Sequence, residues 1–432
     1  CAGPYYCIKD PNNYKVPLRI FMRESLKNCG EPDEFFRVTI AGMEWYHKFF
    51  GIPYPFTKYD QIFTPEYNFG AMENVGLVTY NELYCWKDKP TQQRRSRFCI
   101  TVLHELAHMW FGNLVTMKWW DDLWLNESFA TFISYLCQHQ AVGEEYPTTW
   151  LDFNDSKGEA YKEDQKTITH PVIGDITDTD KAQSHFDGIV YYKGSSLLKQ
   201  MFYFIGEENF SNGLKEYFKI HAWGNTIFDD FVDQMVKALG DQNTFDLKTL
   251  CKHWISEAGL NQVELQWEED AGKITKFNVK QTPCLAEHPN VQTHMMDILF
   301  IFDDRKEEHK NIIINKKEIT ELNNFIGKES PKAVILNYND WAYLKFYIDS
   351  KSLAYLKENL NKKDLDVLTR QLFYRSIYDM TRDATLSCTE YVDIVAGLLQ
   401  HEKNDEIIST TMRVVSGIIA YYMPHKYYST YA

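Results

Sequence analysis

Residues 98–132 read FCITVLHELAHMWFGNLVTMKWWDDLWLNESFATF, and this stretch decides the fold of the chain. Its two histidines, His104 and His108, stand four residues apart. On a helix this spacing places both imidazoles on one face, one turn apart, so both rings can reach a single ion. Neutral imidazole is a good zinc ligand, with Zn–N bonds of about 2.0–2.1 Å. The spacing therefore predicts a zinc site.

A third ligand is predicted at Glu127, 19 positions after His108, which leaves room for a turn and a returning helix. The metzincin spacing would need glycine at position 111 and histidine at position 114. Phe111 and Leu114 stand there instead, which excludes that class. Glu127 follows Trp124 in an apolar run, where an unpaired buried carboxylate would be costly. A bound zinc ion would remove that cost.

Three protein ligands leave the fourth zinc position open for water, which is typical of a catalytic rather than a structural site. Zinc lowers the pKa of its water toward about 7. Glu105 stands between the two histidines in sequence and is not needed as a ligand. We predict that it is the general base, which takes the water proton and passes it to the leaving amine. One zinc ion per chain is expected.

The length and periodicity of the chain predict several domains of α+β type. With 432 residues, the chain is too long for one ordinary core. Apolar residues recur at helical spacing in some segments and alternate in others. The pattern predicts strands in 1–24, a helix at 36–50, strands in 57–84, helices from Thr91 to Gly112 and from Asp121 to Gly143, helices in 192–258, a β-rich module in 262–349 and helices in 351–424.

Charge and composition exclude some classes of function. The chain has 46 basic and 60 acidic residues, a net charge of -14. A nucleic-acid-binding protein usually shows a basic stripe, and this sequence has none, so no nucleic-acid partner is predicted. No run of about 18 apolar residues occurs, so no transmembrane segment is expected.

Nine cysteines are scattered along the chain without a CxxC pair. This pattern favours neither a disulfide framework nor a thiolate metal site, and it predicts a cytoplasmic protein. The chain opens on Cys1 without a methionine, and we expect it to be a longer protein truncated at both ends.

Four motifs of the sequence act together as a family signature: Gly70–Asn74 (GAMEN), His104–His108 (HELAH), Trp124–Glu127 (WLNE) and Phe186–Gly194 (FDGIVYYKG). With them, essentially the whole chain resembles the aminopeptidase N family of gluzincin zinc metallopeptidases, closest to its soluble bacterial-type branch. Ser128 stands where many members have glycine, a change that we expect to be harmless.

The resemblance implies a thermolysin-like catalytic domain, then a small β-sandwich, then the start of a solenoid-like helical domain. The corresponding segments are 1–24 (the end of a missing N-terminal β-domain), 25–258 (catalytic), 259–349 (β-sandwich) and 350–432 (helical).

The resemblance also implies roles for the remaining site residues. Glu73 would bind the free α-ammonium of a peptide, and the backbone of Gly70 and Ala71 would hold the peptide main chain as an added strand. Met72 would border the pocket for the first side chain, and Tyr191 would donate a hydrogen bond to the developing oxyanion. Asn74, the last residue of the same loop, is included among the expected substrate-binding residues.

The function predicted is that of a zinc-dependent aminopeptidase, which hydrolyses the N-terminal amino acid from peptides through a zinc-activated water. Its partners would be peptides with a free N-terminus. One alternative is a leukotriene-type epoxide hydrolase on the same scaffold. Another is a non-catalytic interaction protein. Loss of a metal ligand, of Glu105 or of Tyr191 would have indicated the latter, and none is lost.

Overall fold

A computed structural model describes residues 1–242 and 246–431 and divides the chain into two compact units. The first unit comprises Cys1–Ala160 and Pro171–Ser256, and the second comprises Tyr161–His170 and the chain from Glu257 onward. Helices and small open sheets both occur, so the predicted mixture of helix and strand is confirmed.

The first unit contains one five-stranded sheet and one two-stranded sheet. Its strands are β1 (Tyr5–Lys9), β2 (Leu18–Arg23), β3 (Tyr59–Thr64), β4 (Ala71–Met72), β5 (Leu77–Asn81), β6 (Thr116–Met117) and β7 (Asn225–Thr226). The larger sheet has the order β1-β2-β3-β5-β4, and β6 pairs with β7. The β2–β3 and β3–β5 pairs are parallel, whereas β1–β2 and β4–β5 are antiparallel. The short strand β4 therefore lies at an edge of the sheet.

Helices make up most of the chain between residues 32 and 256. They are α1 (Pro32–Phe50), α2 (Gln92–Ala107), α3 (Leu123–Ala141), α4 (Thr149–Asp164), α5 (Thr179–Ser184), α6 (Gly194–Ile205), α7 (Glu207–His221), α8 (Phe228–Leu239) and α9 (Leu247–Ser256). A short π-helix, Ile189–Lys193, leads directly into α6.

Helices α2 and α3 pack against each other within the first unit. The side chain of Thr91 accepts a hydrogen bond from the Arg94 N–H and caps the start of α2. Helix α3 is buried on almost every side, from Leu123 to Gln138, and packs against α2, α6 and the π-helix. The metal-ligand motifs lie on α2 and α3, so this packing brings them together.

The structure corrects one predicted boundary and adds two helices. Helix α2 ends at Ala107, not near Gly112. Beyond it the Asn113 N–H donates to the His108 carbonyl and the Gly112 N–H to the Val115 carbonyl, both at 2.9 Å. These bonds replace the helical pattern with a tight turn. Helices α4 and α5 lie in 144–191, for which the apolar pattern predicted no helix.

The second unit has two sheets followed by helices. Its strands are β8 (Asn261–Asp270), β9 (Lys273–Pro283), β10 (His294–Ile301), β11 (Lys306–Ile314), β12 (Ile319–Glu321), β13 (Ala333–Tyr338) and β14 (Lys345–Tyr347). One sheet has the order β11-β10-β13 and the other the order β12-β9-β8-β14. The helices are α10 (Ser350–Asn359), α11 (Val367–Arg382), α12 (Cys388–Leu399), α13 (Asp405–Tyr421) and α14 (Tyr428–Tyr431). The strands predicted in 262–349 and the helices predicted after them are confirmed as secondary structure.

Across the residues that the structure describes, no helix combines the length and apolar character that a membrane crossing requires.

Candidate metal centre

The three predicted ligands meet at one point between α2 and α3. The His104 Nε2 and His108 Nε2 atoms lie 3.0 Å apart. The Glu127 Oε2 atom lies 3.4 Å from His104 Nε2 and 3.5 Å from His108 Nε2. His108 and Glu127 are buried, and His104 is only slightly exposed. Among the described residues, these three side chains form the one cluster of histidine, cysteine and acidic groups arranged to hold a metal ion.

This triangle fits a tetrahedral zinc ion. With bonds of about 2.0–2.1 Å, a tetrahedral ion separates its ligand atoms by about 3.3–3.4 Å. The three separations of 3.0, 3.4 and 3.5 Å bracket that value. Two histidine nitrogens and one glutamate oxygen are also one of the donor sets that occur in catalytic zinc sites. The residues present therefore fit the predicted metal.

Hydrogen bonds to the Nδ1 atoms orient both imidazoles and fix the tautomer of His108. The Nδ1 atom of His108 lies 3.2 Å from the Phe111 carbonyl and 3.1 Å from Asn126 Oδ1. A carbonyl can only accept, so Nδ1 carries the proton and the neutral ring keeps its Nε2 lone pair for a metal. The Nδ1 atom of His104 lies 3.4 Å from Thr131 Oγ1. The same Asn126 amide also donates to Glu127 Oε1 at 3.4 Å, so Asn126 braces two ligands.

Glycine is required at position 112 to leave room for this bracing. Gly112 has a φ of +124°, a conformation that L-residues with side chains rarely adopt. A Cβ atom there would overlap Asn126 Oδ1 and lie 3.3 Å from His108 Nδ1. The turn after α2 can therefore bring the two side chains together only without a side chain at position 112.

The electrostatics of the cluster favour a positive charge between the ligands. Burial lowers the pKa of His108, but the negative charges of Glu73 and Glu127 outweigh burial and raise that pKa to about 10. Burial alone would raise the pKa of Glu127, but His108 and His104 hold it below its usual range. The pKa of His104 is lowered, chiefly by burial. The Nε2 atoms of His104 and His108 lie 3.0 Å apart, so their lone pairs would repel each other unless a proton or a cation lay between them. A divalent cation bound by both nitrogens would remove this repulsion.

Glu105 is the buried carboxylate next to the cluster. Burial raises its pKa well above the usual range, and Glu73 and Glu127 add to the rise whereas His108 opposes it. A bound divalent cation would counter these effects because it favours the charged form of each carboxyl group. With a metal present, Glu105 can accept a proton.

Tyr191 lies beside the cluster in the π-helix. Its ring centroid is 6.3 Å from that of His104, and the ring planes meet at 26°. Burial raises the pKa of the Tyr191 phenol, and the neighbouring Glu127 raises it further, so the hydroxyl keeps its proton. Single π turns within helices frequently mark functional sites. Helical periodicity does not distinguish this π turn from the α-helix that follows it.

Ser128 and Gly194 fix the π-helix against α3. The buried Ser128 hydroxyl donates to the Val190 carbonyl at 2.5 Å. A Cβ atom on Gly194 would overlap Ser128 Oγ and lie 2.9 Å from Ser128 Cβ. Ser128 follows the predicted ligand Glu127 and Val190 precedes Tyr191, so one hydrogen bond joins the two halves of the candidate site.

The Gly70–Asn74 loop carries the edge strand β4. Ala71 and Met72 pair antiparallel with Tyr80 and Thr79 of β5, and Met72 is exposed. The Gly70 carbonyl accepts a hydrogen bond from the Asn81 N–H at 2.9 Å. The Asn74 amide donates to Thr79 Oγ1 at 3.2 Å and so braces its own loop. The partly buried Glu73 acts electrostatically on Glu105, His108 and Tyr191.

Sequence reasoning missed the residues that support the site: Asn126 and Thr131, which contact the imidazoles, and Asn113 and Ser128, which hold the backbone around them. One general signal pointed to the first two. A metal-bound imidazole almost always donates its second N–H to an oxygen, so each predicted histidine required a partner. Neighbourhood in sequence could have suggested Asn126, which precedes Glu127. Nothing in the sequence connected Thr131 to His104.

Comparisons with known proteins agree with these motifs. Residues 35–254 match the peptidase family M1 domain, and residues 333–432 match the ERAP1-like C-terminal domain. Aminopeptidase N of Streptomyces lividans is 39% identical over 98% of this chain and 50% of its own length. Leucyl aminopeptidase of Saccharolobus solfataricus is 31% identical over 76% of this chain and 40% of its own. Aminopeptidase 2, mitochondrial, of Saccharomyces cerevisiae is 31% identical over 78% of this chain and 35% of its own. The chain spans about half the length, or less, of these curated relatives.

Proposed function

The chain belongs to peptidase family M1, as its motifs predicted, and we propose that it carries the catalytic part of a zinc-dependent aminopeptidase that releases the N-terminal amino acid from peptides. The observation that carries this proposal is the triangle of His104, His108 and Glu127 atoms, with sides of 3.0–3.5 Å. Relatives named aminopeptidase N and leucyl aminopeptidase support the class of reaction.

In the proposed mechanism, His104, His108 and Glu127 hold the metal. A zinc ion bound there would polarise the scissile carbonyl and lower the pKa of a water toward about 7. Glu105 takes a proton from the attacking water and returns it to the leaving nitrogen. Its position between two ligands in sequence and its burial support this role, because a buried base is a strong one.

Tyr191 stabilises the charge that develops on the substrate carbonyl oxygen. Its hydroxyl stays protonated because its pKa is raised, so it can donate a hydrogen bond. Such donors contribute about 2.7–4 kcal/mol to transition-state stabilisation. The Ser128–Val190 hydrogen bond holds the π-helix that carries this phenol.

Glu73 binds the ammonium group of the peptide and so limits cleavage to the terminal residue. The edge strand β4 supports the rest of this assignment, because an extended peptide can add to an exposed sheet edge through Gly70 and Ala71. Exposed Met72 would border the first side chain of the substrate, and Asn74 would maintain the loop.

Two measurements on the full-length protein test the proposed function. Metal analysis should find one zinc per chain, and a panel of aminoacyl chromophores should be hydrolysed. A Glu105→Gln variant should retain zinc but lose activity by roughly 10²–10⁴-fold. N-acetylated peptides should be poor substrates. Equal cleavage of acetylated and free peptides would make the protein an endopeptidase. Turnover of an epoxide without peptide hydrolysis would favour the epoxide hydrolase.

The finer architecture is part of the same proposal. Residues 25–258 would form a thermolysin-like domain, 259–349 a β-sandwich and 350–432 the start of a helical solenoid, after the end of a β-domain in 1–24. The 5.4 Å contact between the rings of Phe277 (β9) and Phe300 (β10) supports the packing of two sheets. We also propose a cytoplasmic location, for which the support is that all nine cysteines are free thiols.

A further inference from the structure

The Asn113 side chain connects the turn after α2 to the loop that carries Glu73. The Asn113 amide Nδ2 donates to the Glu73 carbonyl at 2.8 Å, across 40 positions of sequence. The backbone N–H of the same residue donates to the His108 carbonyl at 2.9 Å. One residue therefore touches the backbone of a metal ligand and the backbone of the residue proposed to bind the ammonium group.

The turn that presents Asn113 is itself rigid. The Gly112 N–H donates to the Val115 carbonyl at 2.9 Å, and the Val115 N–H donates to the Trp110 carbonyl at 3.1 Å. Trp110 and Val115 are fully buried. Both bonds and this burial fix the backbone on each side of Asn113. The position of its amide is therefore set by the same turn that ends α2.

The far end of the Glu73 loop is held by a different element. The Lys58 ammonium donates to the Gly76 carbonyl and to Asp60 Oδ2, each at 2.6 Å. Lys58 precedes β3 and Asp60 lies in β3, so the residues that hold Gly76 lie outside α2 and α3. The Lys58 hydrogen bonds fix where the loop ends, but they do not fix how far Glu73 stands from the ligands. Asn113 bonds to the backbone of Glu73 itself.

We propose that Asn113 is a positioning residue that sets the distance between Glu73 and the metal ligands, and hence the cleavage of one residue at a time. This inference rests on the proposed function, in which Glu73 binds the substrate ammonium group. An exopeptidase needs that distance to match one residue of peptide, and a misplacement of about 1 Å can cost on the order of 10²-fold in rate.

The test uses Asn113→Asp, which keeps the shape of the side chain but replaces the donor with an acceptor facing the Glu73 carbonyl. Asn113→Ala is the second variant, in case the charge impairs folding. Asn225→Asp is a matched control, because the Asn225 amide donates to the Thr116 carbonyl at 3.4 Å and not to the Glu73 loop. All variants are made in the full-length protein.

We expect zinc content to stay at the wild-type level in all three variants. In the Asn113 variants, kcat/KM for aminoacyl chromophores should fall roughly 10- to 100-fold. The preference for free over N-acetylated peptides should fall with it, and mass spectrometry should detect dipeptides among the first products. Hydrogen exchange should increase in 70–76, a readout that does not depend on activity. The Asn225 control should change none of these.

A double-mutant cycle with Glu73→Ala separates the possible failures. If Asn113 acts through Glu73, the double variant should be no worse than Glu73→Ala alone. Additive losses, or unchanged selectivity and exchange in both Asn113 variants, would overturn the role of Asn113. If Glu73→Ala itself leaves the preference for free amines intact, the proposed function of Glu73 is wrong instead.

Discussion

The contact between Gly194 and Ser128 offers a sharp test of how the site is assembled. Gly194 begins α6 with helical dihedral angles, φ −58° and ψ −45°, so its backbone suits alanine. An added Cβ atom would overlap Ser128 Oγ and lie 2.9 Å from Ser128 Cβ and 3.3 Å from Trp124 Cε3. Because carbon atoms pack best at about 3.5–4.0 Å, Gly194→Ala must push α3 and the start of α6 apart by roughly 0.5–1 Å. The π-helix leads directly into α6 and should shift with it.

The effect of Gly194→Ala on the free energy of unfolding has two opposing contributions. Overpacking a buried contact costs about 1–3 kcal/mol, whereas replacing glycine with alanine in a helix gains about 1 kcal/mol. The variant should therefore be less stable by about 0–2 kcal/mol. Its activity should suffer more, because Tyr191 lies three residues before Gly194. Full loss of an oxyanion donor costs about 10²–10³-fold in kcat, which sets the upper limit.

Calorimetric unfolding and steady-state kinetics would measure the two effects. Gly417→Ala is the control, because Gly417 lies within α13 and a Cβ atom there would have no neighbour within 4 Å. That variant should gain about 1 kcal/mol and keep its kcat. Calorimetry is preferred because the two compact units need not unfold together.

A second substitution at Ser128 tests whether the clash with Ser128 causes the loss of kcat in Gly194→Ala. Ser128→Gly removes both atoms that the new methyl group would strike, but it also removes the hydrogen bond to the Val190 carbonyl. Adding Gly194→Ala to Ser128→Gly should therefore cost little further kcat, so the double variant should turn over like Ser128→Gly alone. Zinc content should remain at one per chain throughout. Two results would contradict the steric cause: Gly194→Ala unfolding and turning over like the wild type, or Gly194→Ala lowering kcat as much in the Ser128→Gly background as in the wild type.

Three further perturbations have expected outcomes. Glu127→Ala should bind zinc much more weakly, and unchanged stoichiometry and affinity in metal analysis would exclude this carboxylate as a ligand. Tyr191→Phe should lower kcat more than it raises KM, because the hydroxyl acts on charge that exists only in the transition state; the opposite pattern in steady-state kinetics would make it a ground-state contact. Burial raises the pKa of Asp60, but hydrogen bonds from Arg19 and Lys58 outweigh burial and hold that pKa below its usual range. The resulting stability is present above pH about 4 and lost as pH falls through the lowered pKa. Asp60→Asn should therefore be destabilised at pH 7 in urea unfolding, and its difference from wild type should shrink in acid; a constant difference would contradict this.

Much of the site could be predicted from sequence because its signals are local. Two histidines four residues apart share a helix face whatever the rest of the chain does. The run of apolar residues around Glu127 predicted a buried helix, and α3 is buried on almost every side. The strands β1, β2, β3 and β5 lie where alternation predicted them. In each case neighbours in the chain determine the outcome.

The end of α2 could not be predicted with the same accuracy, because it depends on contacts across a turn. Helical spacing continues past Ala107, but the Asn113 N–H takes the His108 carbonyl and Gly112 adopts a positive φ. That backbone conformation leaves room for Asn126, a residue of the next helix. A local sequence pattern does not indicate which helix will pack beside the turn at Gly112.

Tertiary structure alone decided how the separate motifs combine into one centre. The bond from Asn113 to Glu73 spans 40 positions and the bond from Ser128 to Val190 spans 62. Sequence supplied the chemistry of these groups, because residue type fixes whether a side chain can donate, accept or bind metal. It did not supply their partners. Contacts at such separations form only when burial of apolar surface brings whole elements together, so their geometry belongs to the packing of α2, α3 and the π-helix rather than to any one segment.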